Sequence, residues 1–189
     1  MKKIKVEVSA RHLHVTQEDL EALFGEDYVL ESKKSLSQKG EFASNALVKL
    51  VGPKSEMENV RIVGPVRSYT QVELSRTDCF NIGIKAPLRL SGKIEGSGKV
   101  KVVGPAGELD LEKGVIIAKR HIHLAEHEAH EFGVKNGQEV KVAIDSARSL
   151  VFEKVEIRVK ESFSASLHID TDEGNAAFID AEIDAEILI

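Results

Sequence analysis

The feature that most constrains this chain is a histidine motif that occurs twice. RHLHVTQEDLEALFG at 11–25 and RHIHLAEHEAHEFG at 120–133 both run Arg-His-apolar-His-apolar, continue into an acidic amphipathic helix and stop at glycine. In the first copy Thr16 is placed to cap the helix and Asp19 holds the capping-box position, while Leu20, Leu23 and Phe24 form one apolar face before Gly25. The second copy ends the same way at Gly133. Starting at residues 11 and 120, the copies lie 109 residues apart, too far for a solenoid period. The pattern points instead to an old duplication that yields two similar modules related by a pseudo-twofold.

Four of the seven histidines fall in these pairs, His12/His14 and His121/His123. Residues two apart on a strand share a face, so each pair can present two imidazoles to one metal ion. His127 and His130 fall on the polar side of the second helix and read as solvated. His168, in ASLHIDTDEGNAA, lies in a strand-like stretch beside Leu167 and Ile169. A lone histidine there is more often a satisfied core residue; beside two incomplete pairs it becomes a candidate third ligand. In GPVRSYTQVELSRTDC at 64–79, alternation puts Gln71, Glu73 and Ser75 on one face and Val72 and Leu74 on the other. Spacing alone favours a solvated edge-strand glutamate at 73 and a surface arginine at 67. A metal ligand and a phosphate-binding guanidinium remain the open alternatives, because the guanidinium fork matches phosphate bidentately.

Elsewhere short alternating strands end at glycine or proline, as in KIKVEV, ALVKLVGP, VRIVGP, KVKVVGP and EVKVAI. These predict a mainly β fold, a barrel or sandwich, with only two convincing helices. ESKKSLSQKGEFASN at 31–45 reads as a polar surface loop, and SGKIEGSGK at 91–99 as a seam between modules. With 42% hydrophobic and 30% charged residues over 189 positions, the composition argues against disorder. A formal charge of −5 and no Lys/Arg run beyond two residues leave no nucleic-acid or membrane footprint. The start lacks a signal-peptide pattern, and no apolar stretch is long enough to span a bilayer. The single cysteine, Cys79, excludes an intrachain disulfide, fits a reducing compartment and reads as a packing residue. Phosphate-binding, dinucleotide-binding and nucleophile-elbow motifs and H-E-x-x-H are all missing.

Together VSARHLHVT, GPVRSYTQVELSRTD, GVIIAKRHIHL and LHIDTDEGNAA resemble the blocks of the PduL family of phosphate propanoyltransferases, from about residue 4 to 180. The resemblance implies a mainly β protein with short α-helices, built as two β-barrel modules with the active site at their junction. One barrel would take residues 1–10 plus 119–189 and the other 11–118, which replaces the seam at 91–99. It implies two Zn2+ per chain, one held by His12, His14 and Glu73 and facing the CoA sulfur, the other by His121, His123 and His168. Arg67 matches the phosphate-binding arginine, and Val8, Ser9, Ala10, Lys54, Arg61 and Asn175 fall where the family contacts CoA. Ala10 departs from the asparagine familiar at that place, which removes a side-chain amide and spares every ligand. Members housed in bacterial microcompartments usually carry an N-terminal amphipathic extension, whereas this chain reaches its first strand within four residues. A free cytoplasmic enzyme is therefore expected, and a homodimer is compatible with the residues.

The reaction implied interconverts short-chain acyl-CoA, propanoyl-CoA or acetyl-CoA, plus phosphate with acyl phosphate plus CoA. Phosphate would attack the thioester directly, with zinc and Arg67 offsetting negative charge and no acyl-enzyme. The rival readings are a two-metal hydrolase of thioesters or phosphate esters and a non-catalytic zinc-binding module. Structural zinc sites are commonly cysteine-rich and closed, which weighs against the second rival.

Overall fold

The computed structural model describes residues 2–188. In chain order its elements begin with β1 (Lys3–Ser9), β2 (His12–His14), α1 (Gln17–Phe24), β3 (Ser32–Ser35), β4 (Phe42–Val51), β5 (Glu56–Gly64), β6 (Gln71–Glu73), α2 (Arg76–Ile82) and β7 (Leu88–Arg89). They continue with β8 (Gly98–Val103), β9 (Glu108–Ala118), β10 (His121–Leu124), α3 (Glu126–Phe132), β11 (Glu139–Ile144), β12 (Leu150–Val159), β13 (Ser166–Asp170), α4 (Thr171–Ala176) and β14 (Asp184–Leu188). No helix among the described residues is long and apolar enough to cross a membrane. The chain separates into two compact units, Met1–Ala10 with Lys119–Ile189, and Arg11–Ala118.

The discontinuous unit is a closed barrel in the order β1-β13-β10-β12-β11-β14. Alternation sets which face is filled: Ile4 and Val6 of β1, Val140, Val142 and Ile144 of β11, and Leu167 and Ile169 of β13 are all buried. β1 runs parallel to β13 and antiparallel to β14, so the start of the chain closes a barrel whose other strands come from its C-terminal part. Helix α4 lies close to β1. A Cβ added at Gly174 would stand 2.8 Å from Val8 Cγ1, so only glycine fits that approach.

In the continuous unit β4 pairs with β5, β5 with β2, β2 with β6, β6 with β9, β9 with β8, and β8 returns to β4. That circuit closes a second six-strand barrel, to which β3 adds beside β4 and β7 beside β9. Its core gathers Leu13, Leu50, Ile62, Val72, Val102 and Val115 under Leu20 and Leu23 of α1. Both units are thus closed β-barrels with short helices.

Three local expectations change. The 31–45 segment is not wholly loop: Ser32–Ser35 form β3, and Phe42 begins β4. β3 is exposed on all four residues, so no apolar alternation marks it; its pairing comes from backbone bonds to β4 alone. Helices number four among the described residues: α2 and α4, of seven and six residues, escape a reading of the sequence, whereas α3, no longer than α2, is legible because it repeats the first motif. The expected capping box at α1 is also relayed. Thr16 Oγ1 accepts from the Asp19 N–H at 3.1 Å, but the Thr16 N–H donates to Thr70 Oγ1, whose hydroxyl donates to the Asp19 carboxylate.

Candidate metal and anion site

Each H-x-H strand places its middle residue in a core and its histidines on the other face. Leu13 and Ile122 are both fully buried in their barrels. β2 pairs antiparallel with β6 so that His12 stands opposite Glu73, and β10 pairs antiparallel with β13 so that His121 stands opposite His168. The surrounding ladders also repeat. β2 and β6 are flanked in parallel by β5 and β9, and β10 and β13 by β12 and β1. Two groups result, His12/His14/Glu73 and His121/His123/His168, and within each the donor atoms lie within 4.8 Å of one another.

In the first group His12 Nε2 and Glu73 Oε2 are 3.8 Å apart. His14 Nδ1 lies 3.0 Å from the Val63 carbonyl, which can only accept, so Nδ1 carries the hydrogen and Nε2 the lone pair a metal requires. Burial above all, with the nearby His12 and Arg67 charges, pushes the His14 imidazole down to about 3, despite opposing contributions from Glu73 and the Val63 bond. It is therefore neutral at pH 7, the state that ligates. Glu73 is held in turn. Gln71, fully buried, donates from Nε2 to Glu73 Oε1 at 2.7 Å and to Ser91 Oγ at 2.8 Å, and its Oε1 accepts from the Gly92 N–H at 2.8 Å.

In the second group His121 Nδ1 lies 2.8 Å from the Lys119 carbonyl, which fixes the same tautomer as at His14. The His121 and His168 rings stack with centroids 5.1 Å apart, and His123 stacks on Phe163 at 3.9 Å. His168 Nε2 lies 2.8 Å from the buried Ser166 Oγ. Donor sets of two imidazoles and a carboxylate, and of three imidazoles, suit zinc and leave a coordination position open to substrate.

Arg67 follows the cis Gly64–Pro65 bond, and its N–H donates to the Val15 carbonyl at 2.8 Å, beside His14. Its Nη2 donates to Glu41 Oε1 at 2.7 Å. Arg61 is the register neighbour of His12, and its guanidinium donates to the Ser44 carbonyl. Val8 and Ser9 pair with Ile169 and Asp170, next to His168, while Ala10 and Asn175 are exposed in the same unit. Lys54 lies in the turn between β4 and β5, with Nζ 4.3 Å over the exposed Phe80 ring. Cys79 is buried in the core of the continuous unit.

Sequence reasoning missed Gln71 as an orienting group, although it had placed Gln71 and Glu73 on one face. It also missed Glu41, Phe163 and Ser166, whose roles depend on strand register and loop packing that no local pattern encodes.

Comparison with known proteins yields one consistent result. Residues 5–180 match a family model described as phosphate propanoyltransferase. A protein of that name from Thermotoga maritima is 52% identical over 177 residues, 93% of this chain and 84% of that protein. Another from Lachnoclostridium phytofermentans is 52% identical over 177 residues, 93% and 83% of the two chains. One from Clostridioides difficile is 44% identical over 173 residues, 92% and 83%.

Proposed function

The chain belongs to the phosphate propanoyltransferase family, an acyltransferase family acting on acyl-CoA and phosphate, and on that premise we propose a zinc-assisted direct transfer. In this reading the chain moves a propanoyl or acetyl group between CoA and phosphate. One zinc is held by His12, His14 and Glu73 and a second by His121, His123 and His168. The observation that carries the reading is the repeated ladder, which in each unit sets the third donor opposite the first histidine. Bound zinc would supply Lewis-acid stabilisation of negative charge on the thioester oxygen and the departing sulfur.

The protein groups have separate tasks. Arg67 grips phosphate with parallel N–H bonds and offsets its charge as a phosphate oxygen attacks the carbonyl carbon. The C–S bond then breaks, giving acyl phosphate and the CoA thiolate. Gln71 keeps Glu73 oriented, and the Val63 and Lys119 carbonyls hold His14 and His121 in their ligating tautomers. Val8, Ser9, Ala10, Lys54, Arg61 and Asn175 are assigned to CoA, whose phosphates suit the two cations. A buried Cys79 supports a route without an acyl-enzyme.

The test is consumption of propanoyl-CoA and acetyl-CoA with and without phosphate, with acyl phosphate trapped as the hydroxamate. Thioester loss that does not need phosphate would make the protein a hydrolase and defeat the reading. Arg67→Lys, which keeps charge but loses the fork, should raise the KM for phosphate and lower kcat at unchanged metal content.

A further inference from the structure

We propose that Glu41 is an internal anion that occupies Arg67 when phosphate is absent and is displaced by phosphate, so that it sets the affinity of the site for that substrate. The inference rests on the assignment of Arg67 to phosphate. Its observation is the 2.7 Å bond from Arg67 Nη2 to Glu41 Oε1, with both side chains half-buried at 24% and 32% exposure. A carboxylate there takes the same charge-assisted N–H···O bond that a phosphate oxygen would take.

The surroundings hold both backbones and leave the side chains to move. Glu41 ends the β3–β4 turn, its N–H donating to the Gln38 carbonyl and its carbonyl accepting from the Leu36 N–H, each at 3.0 Å. The next residue, Phe42, is the register partner of Gly64 and packs its ring where a Cβ would sit, 2.4 Å from Cζ, so glycine is required there. The hairpin is thereby fixed to the segment that carries Arg67, whose own N–H is bound to Val15. Glu41 holds Arg67 Nη2, so phosphate competes with it for that donor, and two anions on one guanidinium also repel each other. Phosphate, with more charge than a carboxylate and two oxygens for the fork, can win. Until it does, Glu41 neutralises Arg67, whose backbone N–H is bound to Val15, the residue after His14.

Glu41→Gln keeps an acceptor but removes the charge. It should lower the phosphate KM, and the dissociation constant measured calorimetrically with inorganic phosphate, by roughly two- to fivefold, the range a solvent-accessible ion pair supports. The KM for propanoyl-CoA and the metal content should not change. Glu41→Ala should act in the same direction, and both effects should vanish when Arg67→Ala is added. An unchanged or weaker phosphate affinity in Glu41→Gln overturns the proposal, as does a gain that persists without Arg67. If Arg67→Ala alone leaves the phosphate KM at the wild-type value, the phosphate assignment of Arg67 is what fails. If that variant raises the KM while Glu41→Gln does not lower it, only the role of Glu41 falls.

Discussion

The guanidinium of Arg120 donates to the Glu173 carboxylate at 2.8 Å, and that one bond ties the strand carrying His121 and His123 to the start of α4, just beyond His168. The other unit repeats it: Arg11 Nη1 lies 2.5 Å from Asp78 Oδ1. Each arginine immediately precedes its H-x-H pair, and each acid is the third residue of a helix whose N-cap lies two residues past the third donor. Asp78 and Glu173 also complete capping boxes with Ser75 and Asp170. Burial and the neighbouring Asp170 push the Glu173 carboxyl upward, with burial the larger cause, against the pull of Arg120 and the Asp170 N–H. Arg120→Met should weaken metal binding at the His121/His123/His168 group by less than the roughly 10- to 100-fold that loss of a ligand's own hydrogen-bond partner costs, and leave the other group unchanged. Zinc retained against graded chelator would measure it. Equal loss at both groups would point to general unfolding instead.

The donors themselves give the sharper stoichiometric test. His12→Ala and His121→Ala should each lower bound zinc from two per chain to one, and the double variant should hold none. Elemental analysis on protein purified without chelator decides the matter. Full metal content in both single variants would show that the groups are not the ligand sets.

Gln71 is the buried support of Glu73, so Gln71→Leu should disturb the first group without touching a ligand. The variant removes three hydrogen bonds and releases Ser91 Oγ and the Gly92 N–H. Ser91 is half-buried and Gly92 exposed, so both can turn to water; stability should fall by only about 0.5–1.5 kcal/mol, and zinc affinity at that group alone should drop. Urea unfolding and chelator titration on one sample separate the two effects. Wild-type zinc affinity in this variant would leave Gln71 a packing residue.

Much of this was legible in the chain. H-x-H on a strand fixes two imidazoles on one face with no knowledge of the rest, and Leu13 and Ile122 mark the opposite face by being apolar. Glu73 was not legible from spacing, because its position opposite His12 is a matter of strand register, and register is settled by contacts distant in sequence. The short helices α2 and α4 left only their caps as signals, Ser75 with Asp78 and Asp170 with Glu173. Those caps, each two residues after a third donor, repeat the duplication as clearly as the histidines do. β3 carried no signal, since a strand exposed on both faces has no pattern to show.

Cys79 tests the proposed route from another side. It is 4% exposed and lies in the barrel core with Leu50 and Val100, so Cys79→Ser should retain most of the activity. A modest stability loss of about 1–3 kcal/mol is expected from burying a hydroxyl. Mass spectrometry of protein quenched with propanoyl-CoA should find no acyl adduct at this position. An adduct that forms and decays at the rate of turnover would replace direct attack with a two-step mechanism.

The middle residues of the two motifs separate stability from metal binding. Leu13 and Ile122 are both at 0% exposure, flanked on the chain by histidines that face away from the core. Truncation to alanine removes three side-chain carbons and leaves a cavity only partly closed by relaxation, which costs about 2–5 kcal/mol. His12→Ala and His121→Ala remove side chains from the other face, outside the two apolar cores, so the loss is smaller, although His121 is itself buried and stacks on His168. In metal-free protein Leu13→Ala and Ile122→Ala should therefore lower the urea midpoint far more than either histidine variant. In zinc-loaded protein the order should narrow, because zinc bound only to the folded state adds stability that the histidine variants forfeit. If the histidine variants destabilise the metal-free protein as much as the core variants do, these imidazoles are packing groups and the case for two open metal sites weakens.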